Sequence, residues 1–174
     1  MNFKKFIILL IFLPIGSYGQ GNQPDVNPSV ESYFIKTNQI TLHTALRLSA
    51  VARIKAAELH KEVSIAILDA NGQTILLSRG DGLGIHNTEA ARRKAYTAAS
   101  TKTATLILAR NARSNPDTEN LASLPELLLL GGGVPLYHKG KVIGAIGIAG
   151  GGSPENDDLI GRSASMLQPD IIAR

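Results

Sequence analysis

The chain has 174 residues, 44% of them hydrophobic, with no cysteine and a formal net charge of +4. That length is enough for one domain with a proper core. The lack of cysteine excludes a disulfide framework and a cysteine-linked lipid anchor, and with no Trp, four Tyr and four Phe there is no aromatic platform for single-stranded nucleic acid.

Residues 1–19 carry Lys4 and Lys5, the apolar run FIILLIFLPI, and Ser17-Tyr18-Gly19 with small residues at minus three and minus one. This is the layout of a secretory signal peptide, so a secreted or periplasmic protein is expected. The apolar run is short for a bilayer span, and no stable membrane insertion is expected after cleavage. Cleavage also removes two lysines and no acid, so half of the positive balance goes with it. No basic stripe remains to hold nucleic acid. Residues 20–36 are polar and rich in Pro, Gly and Asn at the start, a flexible leader, and 37–174 is the domain.

Thr41 is placed to cap a helix over 41–59, with Leu42, Ala45, Ser49, Ala52, Ala56 and Leu59 on one stripe. Residues 62–69 alternate as a strand. Asn71-Gly72 is the strongest hairpin signal, and 73–78 returns as the second strand. A glycine-rich loop, RGDGLGIH, fills 79–86. Asn87 or Thr88 is then expected to cap a second helix with Ala90, Ala91, Lys94, Ala95 and Ala98 inside and Glu89 in its first turn. A short helix is expected over 102–111 and irregular chain up to Pro125.

Residues 127–152 read LLLLGGGVPLYHKGKVIGAIGIAGGG. Two or three strands are expected through Ala149. The last has no charge on either face, so it is central and covered on both sides. Its glycines, Gly144 and Gly147, and Gly150 beyond it, invite a close approach by a helix, a backbone or a flat ligand. Ser153-Pro154-Glu155 opens a final helix reaching about Leu167. Short links between strands make the sheet mainly antiparallel. The expected fold is α+β: a single layered α-β-α domain with a five-stranded sheet covered by helices.

Neither triple glycine fits a phosphate loop, and there is no GxSxG or HExxH. Turns needing positive φ explain the glycines, although an anion site before the last helix is the competing reading. His43, His60 and His138 are scattered and read as surface residues. His86 stands apart, at the end of a glycine-rich loop beside a helix start. A neutral imidazole there is placed to bind a metal or haem iron, or simply to pack and cap. Glu155, Asp157 and Asp158 suit a helix's first turn without any metal. The Arg92-Arg93-Lys94 run fans round its helix as a mostly solvated face, from which one cation can still meet a propionate.

Two segments in order carry a family resemblance. The first runs from Asp81-Gly82 through Glu89, Ala91 and Lys94-Ala95 to Thr97-Ala98. The second runs from Gly132-Gly133 through Pro135-Leu136 to Val142-Ile143-Gly144-Ala145-Ile146-Gly147. With the Asp69 hairpin, they make the chain resemble the GlcG/HbpS-like family of haem-binding or haem-degrading proteins, related to the C-terminal domain of PduO-type corrinoid proteins. The resemblance implies a profilin-like layered domain, haem or a related tetrapyrrole as ligand, and a homo-oligomer. It hands over no axial ligand; His86 is inferred from its position. The expected pocket lies between the 79–86 loop, the start of the second helix with Asn87, and the strand bearing Gly144. His86 would bind haem iron, and Arg79, Arg92 or Lys94 would meet propionates. The competing readings are an enzyme acting on a tetrapyrrole or small organic acid, and an oligomeric sensory or structural accessory subunit. No acid–base pair in the sequence supports catalysis, which weighs against the enzyme.

Overall fold

The computed structural model describes Tyr33, residues 37–166 and residues 170–174. The chain divides into Met1–Lys36 and Thr37–Arg174; the fold is that of the second unit, and the expected signal peptide and nearly all of the expected leader lie outside the described residues. Among the described residues no helix is long and apolar enough to cross a membrane.

The order is α1 (Leu42–Glu58), β1 (Ser64–Asp69), β2 (Thr74–Ser78), α2 (His86–Thr101), α3 (Thr105–Ser114), α4 (Pro116–Glu119), β3 (Gly133–His138), β4 (Lys141–Ala149), α5 (Pro154–Ser163) and β5 (Ile171–Ala173). The five strands form one antiparallel sheet in the order β2-β1-β4-β3-β5. The expected α+β layered fold is what the chain adopts.

The two faces of the sheet differ in side-chain size. Ile65, Ile67, Val134, Leu136, Ile146 and Ile148 point to one side and pack with α1 and α5 residues such as Leu48, Ala52 and Ile160. Ala66, Leu68, Ala145 and Ala149 point to the other and meet Ala91, Ala95, Ala98 and Ala99 of α2. Because that second face is built from small residues, α2 lies almost on the sheet backbone. A Cβ on Gly147 would strike the Ala91 carbonyl, and one on Gly133 would strike the Lys94 carbonyl.

Several boundaries depart from expectation. Leu42 is 56% exposed, and Leu48 takes its place in the buried stripe of α1, three residues after Ala45 and four before Ala52. Helix α2 ends at Lys102 in a left-handed conformation, so α3 starts later, at Thr105. After Pro125 only two strands precede α5. The Leu127–Leu130 run is held by side chains instead: Thr97 Oγ1 accepts from the Leu128 N–H at 2.8 Å, and Arg93 donates to the Leu127 carbonyl at 2.8 Å. Helix α5 stops at Ser163, and the fifth strand is β5, beyond it. Met166 and Ile171 exchange both backbone hydrogen bonds, 2.7 and 2.8 Å, to turn the chain back onto β3.

Candidate functional site

A cleft opens where α2 begins, beside the end of β4 and the start of α5. Its volume is about 330 Å³, near the lower bound for a small-molecule site. Leu83, Ala90, Leu130, Ala149 and Pro154 make its walls mostly apolar, and Gly150, Gly152 and Ser153 line one side as near-bare backbone. Ile85, 86% exposed, stands next to His86 at the edge.

Helix α2 begins at His86, two or three residues earlier than a cap at Asn87 or Thr88 implies, and its N-cap Ile85 offers no side-chain bond. Neither Asn87 nor Thr88 caps it. Asn87 donates its backbone N–H and its side-chain amide to the Gly84 carbonyl, at 3.0 and 3.2 Å. His86 lines the cleft and is exposed. Its ring folds back over Gly84, where a Cβ would lie 2.9 Å from Cε1 and 3.0 Å from Nδ1. Among the described residues no protein group hydrogen-bonds either ring nitrogen, and no cluster of three or more His, Cys, Asp or Glu is set to hold a metal ion. His86 is therefore an imidazole whose ring nitrogens have no protein partner among the described residues.

The cleft brings together His86, Asn87 and Lys94 of the expected site, but not Arg79, Arg92 or Gly144. Arg79 is exposed, at the start of the loop. Arg92 is engaged elsewhere, with its guanidinium 2.8 Å from Glu89 and 3.3 Å from Glu126. The hydrogen bond to Arg92 in turn holds the Glu89 carboxyl below its ordinary 4.5. Gly144 is on the opposite face of the sheet, where a Cβ would strike the Leu68 carbonyl and Ile40. The strand glycines are thus filled by protein, and only the Ala149–Gly150 end of β4 faces the cleft.

Lys94 is not part of a solvated face. It is 1% exposed and sits on the cleft floor. Its Nζ donates to Asp157 Oδ2 at 2.7 Å and to the Ile148 carbonyl at 2.9 Å. Burial pushes the ammonium below its ordinary range, against the pull of Asp157. Asp157 Oδ1 accepts from the Gly151 N–H at 2.7 Å, and Asn156 Nδ2 donates to the Gly151 carbonyl at 2.9 Å. Arg93 is also committed, to the Pro125 and Leu127 carbonyls. With Lys94 matched to an internal carboxylate, no free cation stands on the floor for a propionate among the described residues. At the rim Lys61 Nζ comes 3.4 Å from where a Gly152 Cβ would lie.

Asp157 was missed as a site residue because a first-turn acid already has an electrostatic reason to be there. The signal was its spacing. Asp157 is three and four residues before Ile160 and Gly161, which puts it on the buried stripe of α5.

Residues 40–165 match the family model described as haem degrading protein HbpS-like. A double mutant of HbpS from Streptomyces reticuli superposes with a TM-score of 0.70 at 30% identity, over 88% of this chain and 95% of that one. The PduOC:haem complex superposes at 0.66 and 31% identity, over 73% of this chain and 93% of that one. An uncharacterised 15.0 kDa protein from Citrobacter freundii is 30% identical over 127 residues, 72% of this chain and 89% of its own length. With the layered fold and both sequence segments in place, the chain belongs to the HbpS-like family.

Proposed function

We propose that this protein binds haem in the cleft at the start of α2. The observation that carries the reading is the isolated imidazole of His86 at the lip of an apolar cleft. The residues fit the group. Leu83, Ala90, Leu130, Ala149 and Pro154 present apolar surface to a planar ring, and its removal from water supplies most of the affinity. The cleft is smaller than a haem, so it takes an edge of the macrocycle, with Ile85 at the mouth. When bound, the group supplies iron redox and ligand-exchange chemistry. His86 would offer its ring nitrogen, and Lys61, whose Nζ lies beside Gly152, is a cation at the rim that would meet an acidic substituent. The family's description and the haem complex of PduOC support the same reading.

Titration with haem, followed by the Soret band, tests this. A saturable shift is expected, and His86→Ala should alter the spectrum and weaken binding by about tenfold or more. An unchanged spectrum in the variant removes His86 from the proposal. The N-terminal basic-then-apolar pattern supports export, so the secreted or periplasmic side is where we place this haem handling. The open cleft edged by exposed Ile85 favours a homo-oligomer that covers it. A second reading, breakdown of bound haem, rests on the family's description. Haem with a reductant and dioxygen would then yield bilins and released iron.

A further inference from the structure

The buried pair of Lys94 and Asp157 joins four separate pieces of chain. Lys94 belongs to α2, its carbonyl lies against Gly133, and its Nζ reaches the Ile148 carbonyl at the end of β4. Asp157 belongs to α5, and through Oδ1 it holds the Gly151 N–H. The triple glycine at 131–133 is shaped around them. A Cβ on Gly132 would lie 2.7 Å from the Asp157 Cβ and 3.2 Å from Lys94 Nζ, and Gly132 itself has φ +118. A Cβ on Gly131 would lie 2.5 Å from the Pro154 carbonyl.

A buried ion pair seldom adds net stability over apolar residues of the same volume. Folding alone therefore gives little reason for this one. What it does fix is the path of residues 150–153 and the first turn of α5, and those residues are one wall of the cleft. Gly150, Gly151 and Gly152 have no side chains to hold that wall; the carboxylate of Asp157 and the amide of Asn156 do it from beneath.

We propose that Lys94 and Asp157 are positioning residues: together they hold the 150–153 loop and the start of α5 as the ligand-facing wall of the cleft. The affinity arm of its test rests on the haem reading of this cleft; the exchange arm does not. The variant is the apolar double, Lys94→Met with Asp157→Leu, compared with the full wild-type chain by thermal unfolding, amide hydrogen exchange and haem titration. The double variant should unfold at or above the wild-type temperature. Exchange should quicken at least tenfold at Gly151, Gly152 and Ser153 while the amides of β1 and β4 stay protected, and haem should bind at least tenfold more weakly. Wild-type exchange and affinity in the folded double variant would overturn the proposal. So would a loss of affinity accompanied by lost protection throughout the sheet.

If that double variant does not fold, Lys94→Met with Asp157→Asn decides. It keeps an acceptor for the Gly151 N–H and strands no charge, so a smaller rise in exchange confined to the loop supports the role, and none overturns it. If the wild type binds no haem, the haem reading fails, and loop exchange alone decides the positioning claim on the same terms.

Discussion

At Lys94 an ammonium sits 1% exposed with a carboxylate 2.7 Å away. Removing one partner strands the other charge away from water, so Lys94→Met alone should cost about 3–5 kcal/mol in urea unfolding. A loss below about 1 kcal/mol would show that Asp157 finds water or a proton without cost. Gly147 tests packing instead of charge. Its missing Cβ leaves room for the Ala91 carbonyl, so Gly147→Ala should destabilise by about 2–3 kcal/mol, at the upper end of overpacking. Glu89 carries a pH prediction. Its carboxyl is held below 4.5 by Arg92, so the stability it adds is present above that value and is lost as pH falls through the lower, folded-state value. The pair is largely exposed, so Glu89→Gln should lose only about 0.3–0.5 kcal/mol at pH 7 and match the wild type in strong acid. The sequence places Lys94 on the inner edge of α2 by its spacing with Ala91, Ala95 and Ala98. Its partner is 63 residues away, and no local pattern announces it.

Elements with local signals were legible. Thr41 caps α1, accepting from the Thr44 N–H at 3.2 Å, and Ser153 caps α5, with Pro154 as the first residue of the helix. Thr41→Ala should cost about 1 kcal/mol in thermal or urea unfolding. The Asn71-Gly72 turn forms with Asp69 Oδ1 accepting from the Asn71 and Gln73 N–H groups, at 2.8 and 2.9 Å. Elements fixed by tertiary contact were not legible. The start of α2 shifts because Asn87 spends its amide on Gly84 and does not cap the helix. β5 has three residues, too few to show an alternation, yet Ile171 and Ala173 are buried against the core. Ending the chain at Asp170 should therefore lower stability by about 2–3 kcal/mol, the burial of Ile171 with a little added by Ala173. An unchanged unfolding midpoint would make β5 a passenger.

In the whole molecule, the pairing of β4 between β1 and β3 decides where a cleft can form. Large residues fill the α1 and α5 side, small ones let α2 press close, and the space left over lies past the end of β4. Residues 83–90, 130 and 149–157 meet there only because of that topology. This is why His86 and Asn87 are recoverable from the 79–86 loop while the opposite wall is not. It is also why Gly144, read as part of a ligand slot, proves to be a packing residue on the other face. The most direct test of the account is amide NMR with and without ferric haem, whose paramagnetism broadens only nearby signals. Broadening confined to residues 83–90, Lys94, Leu130 and 149–157 is the predicted result. Broadening centred elsewhere, for example at Gly72 and Tyr96 near the other end of α2, or no broadening at saturating haem, would contradict it.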